Sequence, residues 1–225
     1  MKLSARLSKQ ERPRERLMRH GAGSIQDAEL LAIALRTGIP GLNVVDLCRK
    51  LLDRFGGLRG LLGASPEELM TVAGLGAAKA CTLAALLELS RRALEEDLVR
   101  NSPMNHPAQV KQYCKAALAH RQVEHCIALY LDNQLRLIAT GELARGTLSQ
   151  AAVYPREVVR EALRHHAAAL IVAHNHPSGL AAPSAADHGF TRHLKEALAL
   201  VDVKLVDHLI VAGGTVVSLA ELGCL

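Results

Sequence analysis

Tryptophan is absent, and three tyrosines and two phenylalanines are the only aromatic residues in 225. So few ring faces argue against a platform that stacks nucleic-acid bases. No apolar run reaches the roughly 18 residues that a membrane-spanning helix needs. The first twenty residues, MKLSARLSKQERPRERLMRH, lack the apolar block of a secretory signal. A cytoplasmic protein with no membrane partner is therefore expected. The five cysteines (Cys48, Cys81, Cys114, Cys126 and Cys224) are odd in number and never spaced as C-x-x-C. That pattern excludes a disulfide framework and a thiolate zinc knuckle, and fits reduced thiols.

A hydrophobic fraction of 49% suffices to bury real cores, in one moderate domain or two small ones. The net charge of +5 is concentrated at the start, where residues 1–20 hold seven Lys or Arg against two Glu. Such a basic arm can meet phosphate backbones through counterion release, and can equally be a solvated segment.

From residue 24 to about 96 apolar residues recur at three and four, in DAELLAIALRTG, VVDLCRKLLDRFG and KACTLAALLELSRRAL. Gly38, Gly56 and Gly57 stand where helix C-caps belong, and Ser65, Pro66, Glu67 and Glu68 form a helix start. The charge, Asn and two prolines of EEDLVRNSPMNHP, residues 95–107, read as a linker. These patterns predict a helical domain over 1–100 and a second domain over 101–225 that carries any chemistry by itself. In the second half HCIALYLD and QLRLIATGEL read as strands joined through Asp132 and Asn133, EVVREALRHH as a helix and AALIVAHN as a buried strand. A helix over 185–200, a strand VKLVDHLIVA, a turn at Gly213 and Gly214, and a strand TVVSL complete a mixed α/β domain.

The chemistry concentrates in AHNHPSGLAAPSAAD, residues 173–187. In a strand, residues i and i+2 share a face, so His174 and His176 can aim both imidazoles at one point while Asn175 turns away. After the Pro-Ser-Gly turn, Ser184 falls at the N-cap of the next helix and Asp187 in its first turn, where a carboxylate can face back toward the histidines. Two nitrogens and one carboxylate oxygen suit a tetrahedral zinc ion with its fourth position open to water, the pattern of a catalytic site. A proton shuttle must then stand beside that water, and Glu142 is the upstream candidate, because Glu157 and Glu161 lie on a helix with surface roles. A plainer reading stays open: S-x-x-D is a common helix start, and the histidines could be ordinary strand-end residues.

H-x-H, seven residues, then S-x-x-D, with an upstream glutamate, resembles the JAMM signature of MPN-type zinc metalloproteases. Within that group LYLDNQ, RGTLSQAAVYPREVVREAL, AALIVAHNHPSGLAAPSAAD and LVDHLIVAGG resemble the bacterial RadC family, as do RPRERL, DAELLAIALRTG, FGGLRGLL and GLGAAKA in the first half. The resemblance implies a JAMM/MPN-type domain with His174, His176 and Asp187 as zinc ligands, and Ser184 as a hydrogen-bond donor to the oxyanion of an attacked carbonyl. It also implies an upstream catalytic glutamate, placed at Glu142. The implied reaction is hydrolysis of an amide or isopeptide bond in a protein or peptide. Zinc nucleobase deaminases instead use H-x-E with P-C-x-x-C, which this chain lacks. The family's historical DNA-repair label supplies the alternative, a DNA-binding accessory protein whose zinc domain is processing or structural.

Gly74-Leu75-Gly76 followed by Lys79 lacks the third glycine and the preceding strand of a dinucleotide loop. It reads better as a helix-hairpin-helix turn, through which residues 1–100 could hold a DNA phosphate, or as a tight corner without a ligand. His165 and His166 read as a helix C-terminal cap. Asp207 and His208 read as a core hydrogen-bonded pair, or Asp207 as a carboxylate orienting a ligand histidine.

Overall fold

The computed structural model describes residues 12–100, 106–146 and 153–225. Residues 1–11, most of the expected basic arm, lie outside them. The chain divides into two compact units, Met1–Leu89 and Ser90–Leu225. Among the described residues no helix is long and apolar enough to cross a membrane.

The first unit is helical: α1 (Pro13–His20), α2 (Asp27–Leu35), α3 (Val44–Phe55), α4 (Leu58–Gly63), α5 (Pro66–Met70) and the start of α6 (Ala77–Arg100). Local chemistry sets the ends. Asn43 accepts from the amides of Val45 and Asp46 at the start of α3, Gly56 closes that helix in the left-handed conformation, and Ser65 with Glu68 makes a reciprocal cap on α5. Leu31, Leu35, Leu47, Leu51, Leu61, Leu69 and Leu83 meet in one core. The last part of the supposed arm is folded: Pro13 opens α1, and Arg16 binds the α2 residue Glu29 at 2.6 Å.

In the second unit the rest of α6 and α7 (Pro107–Leu118) accompany β1 (His125–Leu131), β2 (Leu137–Arg145), α8 (Pro155–Arg164), β3 (Ala169–Asn175), α9 (Ala185–Ala199), β4 (Lys204–Ala212) and β5 (Thr215–Ser218). The sheet order is β2-β1-β3-β4-β5, with β3 and β4 parallel and the other neighbours antiparallel. It is the mixed sheet that the alternating patterns predict, and its last hairpin turns at Gly213 and Gly214. Alternation along β3 divides the core into two layers. Ala169, Ile171 and Ala173 pack with α7 and Leu98, whereas Leu170 and Val172 pack with α8 and α9. The pleat therefore sends His174 to the α9 side and Asn175 to the α7 side.

Three differences from the sequence reading concern the middle of the chain. Residues 95–100 are helical and not linker, because a charged run interrupts hydrophobic periodicity without breaking backbone hydrogen bonds. The division between units falls at residues 89 and 90, inside α6 and earlier than the boundary read near 100; Leu98 is buried in the second unit's core. Helix α7 was not anticipated. It starts on Pro107, a favoured first helical residue, and buries Val110, Tyr113, Cys114 and Leu118 at helical spacing.

Candidate metal centre

Strand β3 delivers His174 and His176 to one end of the parallel β3–β4 pair. The His176 amide donates to the Val211 carbonyl of β4, extending the ladder by one residue past Asn175. The chain then turns, with the Gly179 amide donating to the His176 carbonyl and Gly179 at φ 80. It re-enters a helix at Ser184, whose hydroxyl accepts from the Asp187 amide while the Asp187 carboxylate accepts from the Ser184 amide. This reciprocal cap holds the Asp187 carboxylate beside the helix start, facing the strand end.

His174, His176 and Asp187 converge. His174 Nε2 lies 2.9 Å from His176 Nε2 and 3.1 Å from Asp187 Oδ1, and His176 Nε2 lies 3.5 Å from Asp187 Oδ2. One donor atom from each falls within 4.8 Å of the others. Ligands at 2.0–2.1 Å on a tetrahedral ion sit about 3.4 Å apart, so the separations fit an ion with shifts of about half an ångström. Burial by itself would raise the Asp187 pKa, but hydrogen bonds from His174 and Ser184 outweigh it and hold the carboxyl well below its usual range. The group is therefore an anion, the form that binds metal.

The remaining ring nitrogens are occupied. His176 Nδ1 donates to the Leu180 carbonyl at 2.7 Å, and His174 Nδ1 meets Nε2 of the fully buried His208 at 2.8 Å. Beyond it, His208 Nδ1 meets Thr191 Oγ1 at 2.6 Å, and Thr191 Oγ1 donates to the Asp187 carbonyl at 2.6 Å. Burial, reinforced by His174, lowers the His208 pKa to about 3, so its ring is neutral and carries one proton. One assignment satisfies the contacts beyond His174: Thr191 gives its only proton to the Asp187 carbonyl, so His208 Nδ1–H donates to Thr191 and His208 Nε2 accepts from His174 Nδ1–H. With Nδ1 committed to His208, Nε2 is the His174 atom that contacts Asp187 and that a metal ion would take in place of a proton. Cys126, paired across the sheet from His174, contributes no thiolate, because burial and the Asp187 charge push its thiol up to about 12.

The structure does not bring Glu142 to this cluster. Glu142 lies inside β2, paired with Ile127, whose β3 partner is Ala173 on the α7 side. Its carboxylate contacts His125 Nδ1 at 3.1 Å. Another carboxylate, which the sequence reading passed over, stands just before β1. Along β1 Cys126, Ala128 and Tyr130 take the α9 side, and the β1–β3 ladder ends where Cys126 pairs with His174; Glu124 is half-buried two residues before Cys126, and continuing the same alternation assigns it to the side of His174 and His176. The Glu124 carbonyl accepts from the Gly146 amide, which ties it to β2 as well. That assignment rests on the β1–β3 pairing, which no local motif encodes.

Ser184 lies beside the ligands with its hydroxyl donating to Asp187 Oδ2 at 2.7 Å. Asp207 and His208 do not bond side chain to side chain: Asp207 accepts from the His208 and Ala220 amides and from the Ser218 hydroxyl, and His208 alone reaches a clustered histidine. His165 caps the C-terminus of α8. In the first unit Gly74, at φ 92, packs so closely on Ile39 that a Cβ would stand 2.1 Å from its methyl. Lys79 Nζ is bonded to the carbonyls of Thr37 and Gly74 at 2.6 and 2.9 Å. Those contacts account for GLG and its lysine as a tight helical corner.

Comparison with known proteins covers both units. Residues 104–224 match the family model described as RadC-like JAB domain, and residues 5–81 match the UPF0758 N-terminal model. The chain is 68% identical over 225 residues to a UPF0758 protein of Bordetella petrii, with all of both chains covered. It is 54% identical over 214 residues to one of Methylibium petroleiphilum, covering 95% of this chain and 96% of that one. It is 52% identical over 213 residues to one of Marinobacter nauticus, covering 95% of each.

Proposed function

The chain belongs to the UPF0758 (RadC) family, and from that membership and the His174–His176–Asp187 cluster we propose a zinc-dependent hydrolase of the JAMM type that cleaves an amide or isopeptide bond. The observation that carries this reading is the convergence of two imidazole nitrogens and a buried carboxylate, with the other nitrogen of each imidazole already hydrogen-bonded. Bound by these three residues, zinc supplies Lewis acidity that makes a water nucleophilic near neutral pH and polarises a carbonyl oxygen. An all-nitrogen-and-oxygen donor set with neutral Cys126 suits that borderline ion.

The protein's own groups then divide the work. Glu124, assigned to the cluster's side by continuing the alternation of β1, takes the proton from the attacking water and delivers it to the leaving nitrogen. His208 and Thr191 keep His174 in the tautomer whose Nε2 lone pair faces the centre. Ser184 anchors Asp187 in the resting site, and by rotating its hydroxyl it can donate to the oxyanion of the tetrahedral intermediate. The substrate is a protein or peptide.

The test uses the full chain, loaded with zinc and challenged with a panel of peptide-bonded and isopeptide-bonded substrates. Hydrolysis that disappears on chelation, returns with zinc, and is lost in Glu124→Gln at unchanged metal content supports the proposal. Cleavage indifferent to chelation, or no cleavage of any member by the zinc-loaded protein, counts against it.

A further inference from the structure

Asn175 sits between the two clustered histidines, yet it is buried on the opposite side of the sheet. Its amide is fully used. Nδ2 donates to the carbonyls of Arg121 and Val123, at 3.1 Å each, and Oδ1 accepts from the His125 amide at 2.8 Å. All three partners lie in the segment 121–125, and two of them, Val123 and His125, bracket Glu124. Among the described residues the β1–β3 ladder runs only as far as Cys126 and His174, so the Asn175 side chain continues the attachment where backbone pairing stops.

We propose that Asn175 is a positioning residue that fixes segment 121–125 and thereby holds Glu124 on the side of His174 and His176. The proposal rests on the reading of Glu124 as the proton-transfer carboxylate. The residue type follows from the partners: two carbonyls and one amide on one planar group require two donors and an acceptor, which asparagine supplies. Aspartate would keep the acceptor but set a carboxylate oxygen against two carbonyls, and alanine would leave all three backbone groups without the partner they have. One strand end thus carries both metal-binding histidines and the clamp for the carboxylate that works beside them.

The test uses the full chain loaded with Co2+, whose visible absorption reports ionisation of metal-bound water through its pH midpoint. Wild type, Glu124→Gln, Asn175→Ala, Asn175→Asp and the Asn175→Ala/Glu124→Gln double variant are compared, with hydrogen exchange of the His125 amide and metal stoichiometry measured on each. Glu124→Gln is expected to move the midpoint, Asn175→Ala to move it in the same direction, and the double variant to move it no further than Glu124→Gln. In Asn175→Ala the His125 amide is expected to exchange about tenfold faster or more, with metal still bound at one per chain. A midpoint that moves in Glu124→Gln but not in Asn175→Ala overturns the positioning role and leaves the Glu124 reading intact. A midpoint that moves in neither overturns both. If Asn175→Ala does not fold, the near-isosteric Asn175→Asp carries the same comparison.

Discussion

His208 offers the sharpest test of how the centre is built, because it touches a proposed ligand without being one. Replacing it with phenylalanine keeps a ring in a fully buried site but removes the acceptor for His174 Nδ1 and the donor to Thr191. His174 then holds a buried N–H without a partner, at a cost of about 1–3 kcal/mol, and its ring is free to rotate or to take the other tautomer. Losing an outer partner of a ligand histidine typically weakens metal binding about 10–100-fold, which corresponds to about 1.4–2.7 kcal/mol. His208→Phe is therefore expected to lose zinc to a chromogenic chelator at a tenfold or more lower competitor concentration than wild type. His208→Gln, which can present an oxygen to His174, is expected to lose less. Thermal unfolding of the metal-free proteins separates a folding defect from a binding defect. A His208→Phe protein that folds and holds zinc within twofold of wild type would refute the proposed hydrogen-bond chain.

Three further outcomes follow from other parts of the molecule. Glu142→Gln is expected to leave zinc content and any hydrolysis within about twofold, because its carboxylate faces His125 on the far side of the sheet; a loss comparable to that of Glu124→Gln, on the order of a hundredfold or more, would return Glu142 to the mechanism. Burial, with Arg121 and His125 nearby, lowers the His120 pKa to about 4. The unfolded chain therefore binds a proton there below about pH 6.5 that the folded chain refuses until about pH 4, and stability falls as pH drops through that window. His120→Gln should reduce proton uptake on unfolding at pH 5 by up to about one, and an unchanged pH dependence would contradict this. A fragment of residues 90–225 should fold and bind zinc, whereas 105–225 should be less stable because it lacks Leu98, which is fully buried in that unit's core; equal melting temperatures for the two would refute that account.

The His174–His176–Asp187 cluster was legible because two short-range rules carry it. Strand alternation aims His174 and His176 together, and the helix-start pattern places Asp187 after Ser184, so four residues are fixed within fifteen positions of sequence. The glutamate was not legible in this way. Glu142 lies within β2 and Glu124 just before β1, and the side of the sheet assigned to each depends on β1 lying between β2 and β3, a long-range pairing that neither strand's sequence encodes. The same limit applies to His208, whose place beside His174 comes from the parallel β3–β4 pairing and its register shift between Leu170 and Ile171. Helix α7 is masked for a local reason: Asn101, Pro103 and Asn105 mark a break just upstream, although the apolar residues after Pro107 already repeat at helical spacing.

The central claim is that His174, His176 and Asp187 together hold a metal ion, and elemental analysis of the purified full-length chain tests it most directly. The account predicts about one zinc per chain in the wild type, and little or none in folded His174→Ala and Asp187→Ala variants. A wild-type protein that neither carries zinc nor takes it up, or variants that retain as much as the wild type, would contradict it.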